Sequence, residues 1–178
     1  GGPEQLFKII TNLKSVFRFY CACPDQGPYY NKIVNEGVPV FKLPHRKFEI
    51  KPFLKLLKWT KINNIIIVHS HGRGAGVYAR LLKLFNRRLK VIHNFHGIHI
   101  EKKGLALIVA RFLGILTNKF VLVSRSEQEI AIKYRLASAS KCILIENGIQ
   151  MAKEELSVSD VFCESIPPDS FVIGMLAR

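Results

Sequence analysis

The sequence predicts an α/β fold, a Rossmann-like parallel sheet with helices on both faces, and three observations carry that prediction. Short β-branched apolar runs alternate with stretches of helical periodicity along most of the chain, the pattern of parallel strands joined by crossover helices. Two of those runs stop at histidine and glycine, in Val68-His69-Ser70-His71-Gly72-Arg73-Gly74 and in Val91-Ile92-His93-Asn94-Phe95-His96-Gly97-Ile98-His99. Buried parallel strands deliver polar side chains in this way to the carboxyl edge of an open sheet, where such folds bind ligands. A composition of 48% hydrophobic and 22% charged residues over 178 positions suits one globular domain with a sizeable core.

The elements follow in order. Directly after Gly1-Gly2, Pro3 and Glu4 suit a helix start and Leu6, Ile9, Ile10 and Leu13 recur at helical spacing, which predicts a helix over 3–14. A strand over 16–22 comes next, with Cys21 and Cys23 pointing to one face as small core residues or, on the lesser alternative, a redox pair. The alternation continues with helix 29–36, strand 38–43 leading to His45, helix 50–61, strand 64–69 and helix 75–86. Strand 90–95, helix 104–116, strand 119–123, helix 126–136 and strand 141–145 complete it. Asn147-Gly148 makes a turn. The domain boundaries expected are a Rossmann-like domain over 1–149, a polar linker or peripheral helix over 150–169, and the start of a second domain over 170–178. A Gly-Gly turn into a helix normally follows a strand in such folds, and a fresh strand opens at Phe171. The reading therefore expects a fragment at both ends, its first strand missing and two strand edges left unpaired.

A net charge of +14, from 27 Lys and Arg against 13 Asp and Glu, favours anionic partners without choosing among phosphates, nucleic acid and acidic lipid. No apolar run reaches the roughly 18 to 20 uncharged residues of a membrane span. The longest candidate, 104–117, is interrupted by Arg111, and the amino end lacks a signal-peptide pattern. Four cysteines without paired CxxC units read as reduced thiols in a cytoplasmic protein.

The motifs together resemble the amino-terminal half of a family 4 glycosyltransferase of GT-B architecture, two facing Rossmann-like domains. Gly1-Gly2-Pro3-Glu4 is similar to the family's Gly-Gly-x-Glu after the first strand. Val68-His69-Ser70-His71, Phe95-His96-Gly97 and Val121-Leu122-Val123-Ser124-Arg125-Ser126-Glu127 follow in family order. Ile145-Glu146-Asn147-Gly148-Ile149 resembles Pro-Asn-Gly-Val/Ile with Glu146 in place of proline, and 172–178 resembles the opening strand of the donor-binding domain. The resemblance implies transfer of a sugar from a nucleotide sugar to a glycan or lipid-linked acceptor with retention, without a cofactor, in making a surface polysaccharide or lipopolysaccharide. His96 would be the active-site histidine. Gly1, Gly2 and Arg178 would bind the donor: glycine lets backbone approach phosphate, and arginine pairs with phosphate oxygens through its planar fork.

Each site residue has a plainer alternative. His96 could simply satisfy backbone groups at a strand end, and His93 and His99 suit structural roles better than chemical ones. His71 and Arg73 are placed to line an acceptor cleft, with a solvated loop as the competing reading. His69 and His71 with His96 form the one metal-like pattern, which would make a metal-dependent hydrolase; no carboxylate or second shell accompanies it, so the site is expected to hold no metal. Gly72-Arg73-Gly74-Ala75-Gly76 departs from GxGxxG and lacks the acidic ribose ligand of a dinucleotide site. Ser124 and Glu127 are explained by a capping box. Phe53, Leu54, Leu57 and Trp59 among Lys51, Lys55, Lys58 and Lys61, with Arg80, Lys83, Arg87, Arg88 and Lys90, suit docking onto an anionic membrane surface or form a solvated face. No RRM, KH or zinc-finger pattern supports nucleic acid. A non-catalytic α/β binding module, or a gene remnant, is the alternative to the enzyme.

Overall fold

A computed structural model describes residues 2–44, 47–98, 104–146 and 148. The chain divides into two units, Gly1–Asn147 and Gly148–Arg178, and every element below lies in the first. The helices are α1 (Gly2–Leu13), α2 (Pro28–Asn35), α3 (Ile50–Ile62), α4 (Gly72–Phe85), α5 (Leu105–Ile115) and α6 (Arg125–Lys133). The strands are β1 (Cys21–Cys23), β2 (Val40–Lys42), β3 (Ile67–His71), β4 (Lys90–Asn94), β5 (Lys119–Leu122) and β6 (Cys142–Leu144). All pairings are parallel, as the α/β alternation predicts. Expectations for 150–178, including the linker and second domain, lie outside the described residues, as do Gly1, His45, His99, Asn147 and Arg178.

The strands form two sheets, β1-β2 and β3-β4-β5-β6. The remaining edges of β1 and β3 carry no strand partner among the described residues. Helices α4 and α6 cover the larger sheet, α4 on β3 and β4 and α6 on β5 and β6, while α1 packs on α2. Three apolar clusters result. Phe53 and Leu56 of α3 meet Tyr78, Ala79 and Leu82 of α4 and Val91 of β4; Phe120 and Leu122 of β5 meet Ala131 of α6; Ile10, Cys21 and Ile33 join α1, β1 and α2. Cys21 and Cys23 thus belong to one small core, and both are free thiols.

Two strands move from their predicted places, for the same reason. The turn closing α1 takes the amides of Val16 and Phe17 onto Leu13 O, so the predicted strand 16–22 contracts to Cys21–Cys23 and leaves Val16 and Phe17 exposed. After α3, Asn64 adopts φ +51° and Ile65 N–H bonds to Thr60 O, which spends 64–65 on ending the helix. Strand β3 therefore starts at Ile67 and runs to His71, where Asn94 of β4 is still in register to pair. Gly72 then turns the chain directly into α4 at φ +73°, a conformation glycine adopts without steric cost.

Candidate functional site

Strands β3 and β4 end side by side, which makes neighbours of the two histidine-bearing runs: Ser70 pairs with His93 and His71 with Asn94. Alternation along the strand then sorts the side chains between the two faces of the sheet. On one face Ser70 Oγ lies 2.9 Å from His93 Nδ1. His93 is 1% exposed and packs edge-on against Phe95 and Phe120. Burial, with the Arg80 guanidinium next in effect, holds its pKa well below the ordinary histidine value. It is a neutral core histidine, in keeping with the structural role expected of it as a neighbour of His96. Arg80, only 6% exposed, donates from Nε to Gly76 O at 2.7 Å, and burial lowers its pKa to about 10. Gly76 keeps room for both: a Cβ there would stand 2.5 Å from His93 Cε1 and 2.8 Å from Arg80 Nη2.

The other face carries the candidate site. His69 and His71 hold their ring centroids 4.3 Å apart, and His71 stacks on His96 at 5.5 Å and 23°. His71 Nδ1 is 3.2 Å from His96 Nε2, so one ring donates and the other accepts. The first residue of α1 reaches the same point: a Cβ on Gly2 would lie 3.7 Å from His96 Nε2. The helix N-terminus, with its positive dipole end, thereby meets the imidazole cluster. Burial lowers the pKa of His71 to about 3, helped by His69 and His96, and burial lowers His69 as well. His96 is also lowered, chiefly by burial, with the Glu127 carboxylate opposing the shift. At neutral pH the cluster consists of uncharged imidazoles. Among the described residues Nε2 of His69 and of His71 are buried without a hydrogen-bond partner.

Glu127 has a role that its sequence context concealed. Ser124 caps α6 and its Oγ accepts from Glu127 N–H at 3.2 Å, which is half of the predicted capping box. The other half is different, because the carboxylate does not return to the Ser124 amide. Oε2 accepts from Val123 N–H at 3.2 Å, and Oε1 crosses to the end of β4 and accepts from Gly97 N–H at 2.6 Å. Gly97 has φ +89° and directly follows His96. A nearly buried carboxylate thus ties the turn bearing His96 to the start of α6. Ser-x-x-Glu was the only sequence signal at this position, and it pointed to the nearer partner.

Of the predicted site residues, the structure brings Gly2, His71 and His96 together. Arg73 sits exposed on the first turn of α4, and His71 ends β3 at the N-cap position of that helix. Gly1 and Arg178 lie outside the described residues. Among the described residues no group of three His, Cys, Asp or Glu side chains is arranged to hold a metal ion. The surface expected on α3 keeps its lysines and Leu54 exposed but loses its aromatics to the core. Phe53 is buried, Leu57 and Trp59 pack against the core with Trp59 edge-on to Tyr20, and Arg80 is interior. Amphipathic spacing had aimed these aromatics inward.

Fold and site together define a ligand-binding domain of the parallel α/β class, its candidate site at the carboxyl ends of adjacent strands. The sequence matches Glycosyltransferase Family 4 over residues 15–153, and the chain belongs to that family. It is 30% identical over 155 residues to the O-antigen biosynthesis glycosyltransferase WbnH of Escherichia coli, covering 84% of this chain and 46% of that protein. It is 25% identical over 190 residues to the Escherichia coli UDP-Gal:alpha-D-GlcNAc-diphosphoundecaprenol alpha-1,3-galactosyltransferase, covering 98% of this chain and 48% of that one. The chain spans about half the length of the curated relatives it matches. Its fold is similar to that of Anabaena Alr3699/HepE, solved in complex with UDP and glucose, at a TM-score of 0.68 and 18% identity over 90% of this chain and 45% of that one. A glycosyltransferase from Rickettsia africae gives 0.63 and 17%, over 83% of this chain and 39% of that one. These likenesses fix the fold as one half of a GT-B architecture.

Proposed function

We propose that this chain is the acceptor-side domain of a glycosyltransferase that moves a sugar from a nucleotide sugar, with retention, to a glycan or lipid-linked acceptor in the synthesis of a cell-surface polysaccharide or lipopolysaccharide. The observation that carries the reading is the convergence of Gly2, His71 and His96 on one point of the sheet edge. Gly2, with no side chain between its backbone and the His96 ring, stands at the positive end of α1, where a donor's phosphate or sugar would be favoured by the helix dipole. His96, held neutral, is a hydrogen-bond partner for a sugar hydroxyl, and His71 Nε2, which has no partner among the described residues, suits an acceptor hydroxyl beside it. Arg73 at the start of α4 would extend the acceptor side. Gly1 and Arg178 are assigned to the donor by resemblance alone.

The donor is a substrate, and the reading needs no cofactor. The names of two relatives support the pathway, one an O-antigen glycosyltransferase and one acting on a diphosphoundecaprenol-linked sugar. Among the described residues no helix is long and apolar enough to cross a membrane. We place the work on the cytoplasmic face of a membrane, where a lipid-linked acceptor presents its sugar. The test is nucleotide release and sugar incorporation by the full-length protein from a panel of nucleotide sugars, using lipid-linked acceptor from membrane extracts. Loss of about 10²-fold in turnover is expected for His96→Ala, the scale of removing one well-placed donor. Unchanged turnover in that variant would remove His96 from the reaction, and an inverted anomeric carbon in the isolated product would refute retention.

A further inference from the structure

Helix α5 has two apolar faces, and only one of them is used by the fold. The inner face carries Leu113 and Gly114, both buried, with Leu107 and Ala110 partly so. Gly114 packs so closely that a Cβ on it would stand 2.2 Å from the Leu136 carbonyl oxygen. The opposite face presents Leu105, Ile108, Val109, Phe112 and Ile115, each between 47% and 75% exposed. Their spacing of three and four residues puts them in one stripe running the length of the helix. A helix apolar all round is normally covered on every side, yet at eleven residues this one is about half the length of a membrane span.

The surroundings of the stripe say what covers it. Between Glu101 and Glu127 the sequence around α5 holds five cations, Lys102, Lys103, Arg111, Lys119 and Arg125. Arg111 flanks the stripe on α5 itself, anchored by Nε on Tyr134 O at 3.0 Å. Lys141 closes the far end with Nζ at 3.4 Å from Gly114 O and 3.3 Å from Ile115 O. An apolar stripe flanked by Arg111 and closed by Lys141, on a chain of net charge +14, is complementary to the interface of an anionic bilayer. A second copy of a chain carrying +14 would be repelled by the same charge.

We propose that α5 is the membrane-docking element of this protein: it lies in the plane of an anionic lipid surface with Leu105, Ile108, Val109, Phe112 and Ile115 among the acyl chains and Arg111 at the headgroups. The inference deepens the membrane-facing part of the proposed function and rests on it, while moving the contact from α3, where sequence spacing put it, to the opposite side of the histidine-bearing strands in chain order. Its failure is separable from failure of that function, because vesicle binding needs no sugar and sugar transfer to a soluble acceptor analogue needs no vesicle.

The test is co-sedimentation of the full-length protein with vesicles of phosphatidylcholine containing about one-third phosphatidylglycerol, beside pure phosphatidylcholine. Binding at least about ten-fold tighter to the anionic vesicles is expected, weakened by added salt. Ile108→Glu with Phe112→Glu, both at exposed positions, is expected to lower that binding at least about ten-fold, whereas Leu54→Glu on α3 leaves it within about two-fold. Phe112→Trp supplies a conservative check, since quenching of its tryptophan emission by brominated lipid must exceed that of the parent protein. Equal binding by the Ile108/Phe112 variant, loss of binding in Leu54→Glu, or no quenching would each overturn the proposal. So would failure of the parent protein to bind either vesicle together with a lowered melting temperature in the Ile108/Phe112 variant, the result expected if another part of the chain covers the stripe.

Discussion

Replacing Glu127 by alanine tests whether the His96 turn is held from α6. The carboxylate accepts from Gly97 N–H at 2.6 Å and Val123 N–H at 3.2 Å in a nearly buried position. Its loss leaves two backbone donors without their acceptor, at about 1 to 3 kcal/mol for each buried group. Some water entry at the strand edge reduces the sum, and about 3 kcal/mol is expected for Glu127→Ala. In a domain of this size that lowers the melting temperature by about 6 to 12 °C. Glu127→Gln keeps one acceptor oxygen but turns an amide NH2 toward the second backbone donor, so about half the loss is expected. The assay has two parts, thermal unfolding followed by circular dichroism and an NMR titration of the His96 ring, assigned with His96→Gln. Glu127 opposes the burial that lowers His96, so the His96 pKa should fall further in Glu127→Gln. An unfolding midpoint within 1 °C of the parent in Glu127→Ala, or an unmoved His96 titration, would refute the reasoning.

Three other outcomes are expected. Gly76→Ala puts a methyl 2.5 Å from the buried His93 ring, and overpacking there should cost about 1 to 3 kcal/mol in denaturant unfolding. Gly2→Ala meets His96 only at ordinary contact distance, 3.7 Å, so the melting temperature should hold while nucleotide-sugar turnover falls; an unchanged turnover would remove Gly2 from the donor site. His93 has a folded pKa well below its unfolded value of about 6.5, so its contribution to stability is complete above that pH and is lost as the pH falls. The loss should run at about 1.4 kcal/mol per pH unit below 6.5, reaching about 2 kcal/mol at pH 5, and His93→Gln should flatten that part of the stability profile.

The legible and illegible parts of the site divide at the distance over which an interaction acts. The ends of β3 and β4 could be read because alternation and apolar runs are local properties, and two histidine-bearing runs ending at glycines had one reasonable address, the carboxyl edge of the sheet. Pairing of those ends was not local. The contact of His71 with His96 spans twenty-five residues and depends on the register of β3 against β4. The bond from Glu127 to Gly97 spans thirty and depends on α6 meeting the end of β4, so a local capping motif misdirected the reading. On α3 the charges were rightly seen as exposed, but the aromatics beside them were claimed by the core.

The sequence by itself determined the parallel α/β class, the order of elements and the two histidine-bearing strand ends, since each follows from periodicity, turn residues and the neighbours of a few positions. Tertiary structure alone decided which histidine entered the core and which gathered at the strand ends, which carboxylate holds the His96 turn, and which face of α5 the described residues leave exposed. Those outcomes depend on burial and register. Both arise only when segments distant in sequence exclude water from one another, and no single segment records which neighbour it will meet.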